Sequence, residues 1–350
     1  MGLGNSLQTA QGGAAAGGPS GGWVELARTT LGSANSNIDV TGLADKRYLM
    51  ILSDLQSPSG GELPYFRAGN GSYDSGSNYA MRYSADGGSD ATTSSNSNAH
   101  FRGAGMGTND HFDVTYIANL SAKEKLGQWW NVCRSTAGAG TAPTRDEGVF
   151  KHAFTSNPYN QIQRLTLSAE TYATGSEVVV LGWDPADSHT TNFWEDLGSV
   201  TWSSGAALPD LSFTAKKYLW VQFWTKYTSG ANRATIQLGS GGAIDTGANY
   251  AARKAENGGA DGTSTSYANA LICHTGSQVN YTNMFIVNNS ANEKLIIWHT
   301  SDGQSGAGSA PGRIEGVGKW VNTSAQANII RCFDTTTAFG GGEMKIWGSD

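Results

Sequence analysis

Six histidines are the side chains from which acid–base or metal chemistry would be expected first: His100, His111, His152, His189, His274 and His299. No two of them have the His-x-x-x-His spacing that places two imidazoles on one face of a metal-binding helix. None is matched by a histidine at the corresponding position of the internal repeat described below. The sequence therefore predicts no catalytic residue and no cofactor, and we expect the protein not to be an enzyme.

Carboxylates are the next candidates, because paired or clustered oxygens bind calcium or pair with cations. Asp86 and Asp90 lie in an Asp-Gly-Gly-Ser-Asp stretch. It lacks a full calcium loop, so a turn is the favoured interpretation and a calcium site is the alternative. Two further pairs, Arg145 with Glu147 and Arg313 with Glu315, are spaced two residues apart. On a strand that spacing places both side chains on one face, where they would pair with each other or across a subunit contact.

Four of the eleven tryptophans could form a binding platform, because flat aromatic faces suit contacts with sugar rings and with proteins. They are Trp129, Trp130, Trp220 and Trp224. Neighbouring residues of a strand point to opposite faces, so at most one of Trp129 and Trp130 lies in a given core. Core packing is the expected role of most tryptophans, and binding of carbohydrate is the alternative.

The elements that would position these residues come in two copies. Asp74-Ser-Gly-Ser-Asn-Tyr-Ala80 returns as Asp245-Thr-Gly-Ala-Asn-Tyr-Ala251, and Ala137-Gly-Ala-Gly-Thr-Ala-Pro-Thr-Arg145 returns as Ser305-Gly-Ala-Gly-Ser-Ala-Pro-Gly-Arg313. Shorter matches occur between them in the same order. This collinearity indicates a tandem duplication. It predicts an N-terminal arm over 1–22, domains over 23–185 and 192–350, and a linker over 186–191.

Composition predicts the fold class of both domains. Forty-seven glycines and only 15 % charged residues, with many short apolar runs between Gly, Asn and Asp clusters, favour strands joined by turns. Residues 111–116 (His-Phe-Asp-Val-Thr-Tyr) alternate polar and apolar, as in a half-buried strand. We therefore expect an all-β protein built of two tandem, homologous β-sandwiches of jelly-roll type.

Charge and cysteine content limit the partners. A net charge of −6 provides no basic stripe for nucleic acid and disfavours anionic membranes. Cys133, Cys273 and Cys332 each adjoin apolar residues, as buried thiols do, and the odd count without a signal-like segment favours assembly in a reducing cytoplasm. The Gly/Ala-rich arm, with Met1, Leu3 and Leu7 as its large apolar residues, cannot form a core of its own, so we expect it to dock on another protein.

Four stretches of the sequence are similar to those of a known class of proteins. They are the opening Met-Gly-Leu-Gly-Asn-Ser, residues 175–185 (Gly-Ser-Glu-Val-Val-Val-Leu-Gly-Trp-Asp-Pro), residues 192–195 and the Ala-Gly-Ala-Gly-x-Ala-Pro-x-Arg block. With these stretches the chain resembles structural proteins of tailed marine bacteriophages of the cyanophage kind. The resemblance implies a virion component made of β-sandwiches and carries over no catalytic residue. It leads us to expect a tail, neck or fibre-type appendage, anchored to other virion proteins through residues 1–22 and assembled as a homo-oligomer, with a trimer favoured. The alternatives are a head decoration protein and a module that binds host-surface glycan during adsorption of the phage.

Overall fold

The computed structural model describes residues 22–56, 64–100, 109–167, 170–203, 210–227, 234–271, 279–303, 306–334 and 339–350. Every regular element in these ranges is a β-strand, so the predicted all-β class is confirmed. No helix long and apolar enough to cross a membrane occurs among them. Met1, Leu3, Leu7 and Cys273 lie outside the described residues.

The chain forms two compact units. The described residues of unit 1 fall within 1–85, 89–131 and 146–194, and those of unit 2 fall within 86–88, 132–145 and 195–350. The first predicted domain therefore contributes residues 86–88 and 132–145 to unit 2. Each unit is a sandwich of a large and a small sheet around an apolar core.

Twelve strands belong to the first half of the chain: β1 (Val24–Thr30), β2 (Asn37–Thr41), β3 (Tyr48–Leu55), β4 (Tyr65–Gly69), β5 (Tyr79–Ala85), β6 (Ala91–Asn96), β7 (Ala99–His100), β8 (His111–Ala118), β9 (Lys125–Cys133), β10 (Thr144–His152), β11 (Gln161–Leu165) and β12 (Glu177–Trp183). The large sheet has the order β1-β12-β3-β8-β9-β10-β5-β6, and the small sheet has the order β2-β11-β4-β7.

Thirteen strands follow: β13 (Glu195–Ser203), β14 (Asp210–Ser212), β15 (Tyr218–Tyr227), β16 (Ala234–Ser240), β17 (Ala243–Ile244), β18 (Tyr250–Glu256), β19 (Gly262–Tyr267), β20 (Ala270–Leu271), β21 (Val279–Val287), β22 (Lys294–Gly303), β23 (Gly312–Trp320), β24 (Ile329–Asp334) and β25 (Phe339–Ser349). Their sheets have the orders β13-β25-β15-β21-β22-β23-β18-β19 and β14-β24-β16-β17, and β20 pairs with β16. This repeats the order of the first half, with β20 as the counterpart of β7 and with β17 as an additional short strand, and it agrees with a tandem duplication.

Strand β8 departs from its predicted half-buried pattern, because both of its faces are buried. The alternation is real, but its polar residues point into the sandwich rather than to solvent. Asp113 Oδ1 accepts a hydrogen bond at 2.5 Å from Nη2 of Arg164 on β11, in the opposite sheet. Both side chains are fully buried. The guanidinium neutralises the carboxylate and makes a polar inner face possible.

A tryptophan packs over a glycine at the same place in each unit. Trp129 on β9 lies against Gly148 on β10, and Trp298 on β22 lies against Gly316 on β23. A Cβ atom at Gly148 would lie 2.5 Å from the Trp129 ring, and one at Gly316 would lie 2.3 Å from the Trp298 ring. Glycine is needed at both positions because it has no side chain, and any Cβ atom there would occupy the space of the indole.

Gly148→Ala should destabilise the protein by about 1–3 kcal/mol, because the added methyl forces the buried indole out of its position. Gly316→Ala should have an effect of the same size. The measurement is the urea midpoint of each variant. Gly140→Ala is the matched control, since a Cβ there meets nothing within 4 Å. Midpoints equal to that of the control would contradict the packing argument.

Candidate interaction surfaces

The four predicted tryptophans fall in different environments. Trp129 is buried in the core of unit 1, whereas its neighbour Trp130 lies on the other face of the sheet, edge-on to Tyr116 at 5.9 Å between ring centroids. In unit 2, the Trp220 Nε1–H donates to Asn283 Oδ1 at 2.6 Å, and the ring is nearly buried. Trp224 is the most exposed of the four, and it lies directly opposite Tyr281 on the neighbouring strand.

An open groove of about 790 Å³ crosses the large sheet of unit 1. Its lining combines aromatic rings, two exposed aliphatic side chains and a few polar groups: Trp23, Tyr48, Tyr116, Trp183, Leu126, Val149, Gln128, Arg82 and Lys151 among others. Its apolar side chains are open to contact with another molecule.

Asp74, His152 and Tyr159 form a hydrogen-bonded chain in unit 1 that resembles a catalytic relay. His152 Nε2 lies 2.8 Å from Asp74 Oδ2, and Nδ1 lies 2.7 Å from the Tyr159 hydroxyl. Because a carboxylate only accepts, the neutral ring carries its proton on Nε2 and the tyrosine donates to Nδ1. Burial lowers the pKa of His152 although Asp74 opposes the shift.

The corresponding place in unit 2 shows that these hydrogen bonds support a turn. There the Trp320 Nε1–H donates to Asp245 Oδ2 at 2.8 Å, and the same carboxylate accepts the backbone N–H of Gly247. Asp74 likewise accepts the N–H of Gly76. Both His152 and Tyr159 are fully buried. The shared role is therefore to fix a carboxylate that holds its own turn.

Asp86 and Asp90, the residues considered for calcium, engage different cations. Asp86 Oδ1 accepts the backbone N–H of Arg145 at 3.0 Å and lies 3.2 Å from Arg253 Nε. Asp90 Oδ2 instead lies 3.6 Å from Arg82 Nη1. Burial raises the pKa of Asp86. Asp86 and Gly87 both have positive φ, the left-handed conformation that Asp and Gly adopt readily in turns. Within the described part of the chain, no three His, Cys, Asp or Glu side chains are grouped as metal ligands.

Within unit 2, residues 134–145 are held by a buried ion pair. Glu293 and Lys319 lie 3.6 Å apart and are almost fully buried. The Lys319 ammonium donates to the carbonyl oxygens of Arg134 and Thr136 at 3.1 and 2.5 Å, and the Gly138 N–H donates to Glu293 Oε1 at 2.5 Å. Burial lowers the pKa of Lys319, which the Glu293 carboxylate opposes.

Three further contacts hold the same segment. The Ser266 N–H donates to the Ala139 carbonyl at 2.8 Å, and Arg253 Nε donates to the Pro143 carbonyl at 2.8 Å. The Arg145 guanidinium donates to both carboxylate oxygens of Asp261, at 2.9–3.1 Å. Its charge pairs with Asp261, a partner that the sequence did not suggest. A paired, desolvated Arg–carboxylate contact is one of the strong kinds of polar link in proteins.

Unit 1 carries the same residues at the equivalent positions, and we call them the acceptor face: Arg82, Asp90, Ser95, Glu124, Leu126, Val149 and Lys151. Their unit 2 counterparts are Arg253, Asp261, Ser266, Glu293, Leu295, Val317 and Lys319, identical in type at every position. The strand registers of the two units support this alignment, because Arg82 pairs with Val149 and Arg253 pairs with Val317.

The two copies of this surface differ in exposure. Leu126 is 57 % exposed but Leu295 only 1 %, and Val149 is 51 % exposed but Val317 only 2 %. The carboxylate side chain of Asp90 is 55 % exposed, whereas that of Asp261 is 2 % exposed. Residues of identical type are therefore buried in unit 2 and exposed in unit 1. Sequence reasoning missed this surface, although the retained Asp90, Glu124 and Leu126 were its signal.

Comparisons with known proteins give no family. No family model matches the chain, and no curated protein matches it. Among solved structures, mouse laminin alpha1 chain domains LG4-5 match at 13 % identity, over 91 % of this chain and 83 % of that one, with a TM-score of 0.19. A223, a turret protein of Sulfolobus turreted icosahedral virus, matches at 10 % identity over 89 % and 98 % of the two chains, with a TM-score of 0.12. Scores this low carry no argument about function.

Proposed function

We propose that this chain is a non-enzymatic structural protein of a bacteriophage virion, a tail, neck or fibre-type appendage that assembles as a homo-oligomer. The observation that carries the proposal is the acceptor face, an exposed surface in unit 1 whose residues are repeated and engaged in unit 2. Leu126 and Val149 are exposed beside an aromatic groove. Their burial against another protein removes apolar surface from water and favours assembly.

The virion assignment rests on the sequence resemblance. In this proposal residues 1–22 anchor the chain to other virion proteins, and assembly takes place in the host cytoplasm without nucleic acid or membrane as partner. A trimer is the expected oligomer, since three copies present six similar units and closed assemblies are the usual ones. A head decoration protein would use the same surfaces on a different part of the particle.

The test places the double substitution Leu3→Asp, Leu7→Asp in the phage and measures the composition of purified particles by mass spectrometry. Wild-type particles should contain the chain at a fixed copy number, and particles of the variant should lack it, because two charges prevent an apolar arm from docking. Leu120→Asp, an exposed leucine of unit 1, is the control. Particles that never contain the chain would contradict the proposal, as would polysaccharide cleavage by the purified protein. Glycan binding lost in Trp224→Ala would instead favour the adsorption module.

A further inference from the structure

Residues 306–313, which we call the C-terminal loop, repeat the sequence of residues 138–145, whose contacts within unit 2 are described above. Six of the eight positions are identical to residues 138–145, and they include every group that makes a contact there: Gly306 for Gly138, Ala307 for Ala139, Pro311 for Pro143 and Arg313 for Arg145. Gly306 and Gly138 share the left-handed backbone conformation. The base of the loop is also alike, because Asn257 Oδ1 accepts the Arg313 N–H at 2.8 Å as Asp86 accepts that of Arg145.

The loop is exposed in the chain. The Arg313 side chain is 61 % exposed and lies 2.9 Å from Glu315, its neighbour on β23. Arg145 at the equivalent position is buried against Asp261. An exposed Arg–Glu contact contributes only about 0–1 kcal/mol, so it does not prevent the guanidinium from taking a better partner.

A second exposed surface lies beside the loop. Val279, Tyr281 and Trp224 are three of the large apolar residues that unit 2 exposes, and the register pairs Val279 with Gly303 and Tyr281 with Ser301, where the connection to the loop begins. The equivalent residues of unit 1 are Asp110, Phe112 and Asp54, which are buried. Unit 1 therefore exposes the acceptor face, whereas unit 2 exposes the C-terminal loop and the apolar residues beside it.

We propose that the C-terminal loop of one copy docks on the acceptor face of a second copy, with the contacts that hold residues 138–145 in unit 2. Arg313 then pairs with Asp90 of the second copy, the Gly306 N–H donates to its Glu124, and its Arg82 donates to the Pro311 carbonyl. The inference rests on the proposed homo-oligomer and names its interface. The contact joins two different surfaces, so its repetition from copy to copy leads to a closed ring or a filament.

Mass photometry of the full chain tests the proposal through two variants. Arg313→Glu damages the loop, and Leu126→Asp damages the acceptor face. Each variant alone should weaken association roughly 100-fold or more, as expected when a desolvated charge pair or an apolar contact is lost, and should be monomeric where the wild type is oligomeric. Arg331→Glu, a reversal on the opposite sheet of unit 2, is the control and should leave the oligomer intact.

Mixing the two variants is the decisive measurement. Each retains one working surface, so an equimolar mixture should form a one-to-one dimer of twice the 36.7 kDa chain mass and nothing larger. Adding Asp90→Arg to Arg313→Glu reverses the pair and should restore the oligomer. A wild-type oligomer that survives both single substitutions, or a mixture that stays monomeric, would overturn the docking. A wild type that is monomeric at every concentration would instead refute the proposed homo-oligomer itself.

Discussion

Replacing Arg164 with methionine should destabilise the protein by about 3–5 kcal/mol, because it leaves the Asp113 carboxylate charged in the middle of a sandwich. Arg164 and Asp113 are both fully buried, and Arg164 Nε also donates to Ser53 Oγ at 3.1 Å. The expected result is a large fall in the urea midpoint of the Arg164→Met variant.

Unit 2 supplies the control for this prediction. At the positions of Ser53, Asp113 and Arg164 it has Phe223, Thr282 and Cys332, a set without formal charge. The triple variant Ser53→Phe, Asp113→Thr, Arg164→Cys should therefore recover most of the lost stability, since exchanging a whole buried ion pair for residues that fit is often close to neutral. A triple variant as unstable as Arg164→Met would show that the pair is not the source of the effect.

Acid should destabilise the wild type through His299 on β22. Burial, together with the Arg145 and Arg313 guanidiniums, lowers the pKa of His299 to about 4, whereas in the unfolded chain it is about 6.5. Between these values the unfolded state binds more protons, so the free energy of unfolding falls as the pH decreases. The stabilisation is fully present above pH 6.5 and is lost progressively down to about pH 4, by roughly 3 kcal/mol in total.

His299→Gln isolates this contribution, because glutamine does not titrate. The difference in unfolding free energy between variant and wild type should be constant above pH 7 and should shift in favour of the variant as the pH decreases from 6.5 to 4. Burial lowers the pKa of His152 as well, so the wild-type curve alone does not assign the effect. Parallel curves for the two proteins would rule out His299 as the titrating group.

The fold class followed from the sequence because it depends on local features. Short apolar runs between turn residues specify strands, and a repeated order of motifs such as Asp74–Ala80 and Asp245–Ala251 specifies two domains of one kind. The strand order of the two halves agrees with this. The Asp-Gly stretch at Asp86 was predicted as a turn for the same reason, and Asp86 and Gly87 have the positive φ values that such residues adopt in turns.

Which face of strand β8 points into the core did not follow from the sequence. The alternation in 111–116 specified a strand but left open whether its polar side faces solvent. Asp113 points inward because Arg164, more than 50 residues away on β11, supplies the compensating charge. Such a pairing depends on which strands the two sheets bring together, and the local pattern does not contain that information.

The acceptor face separates the two kinds of information most clearly. By itself the sequence determined that Asp90, Glu124 and Leu126 recur as Asp261, Glu293 and Leu295. Only the tertiary structure decided that the first set is exposed and the second engaged, and that Arg145 pairs with Asp261 while Arg313 remains beside Glu315. The physical reason is that burial is a property of what lies against a residue, so two identical local sequences differ when a segment covers one of them and leaves the other open.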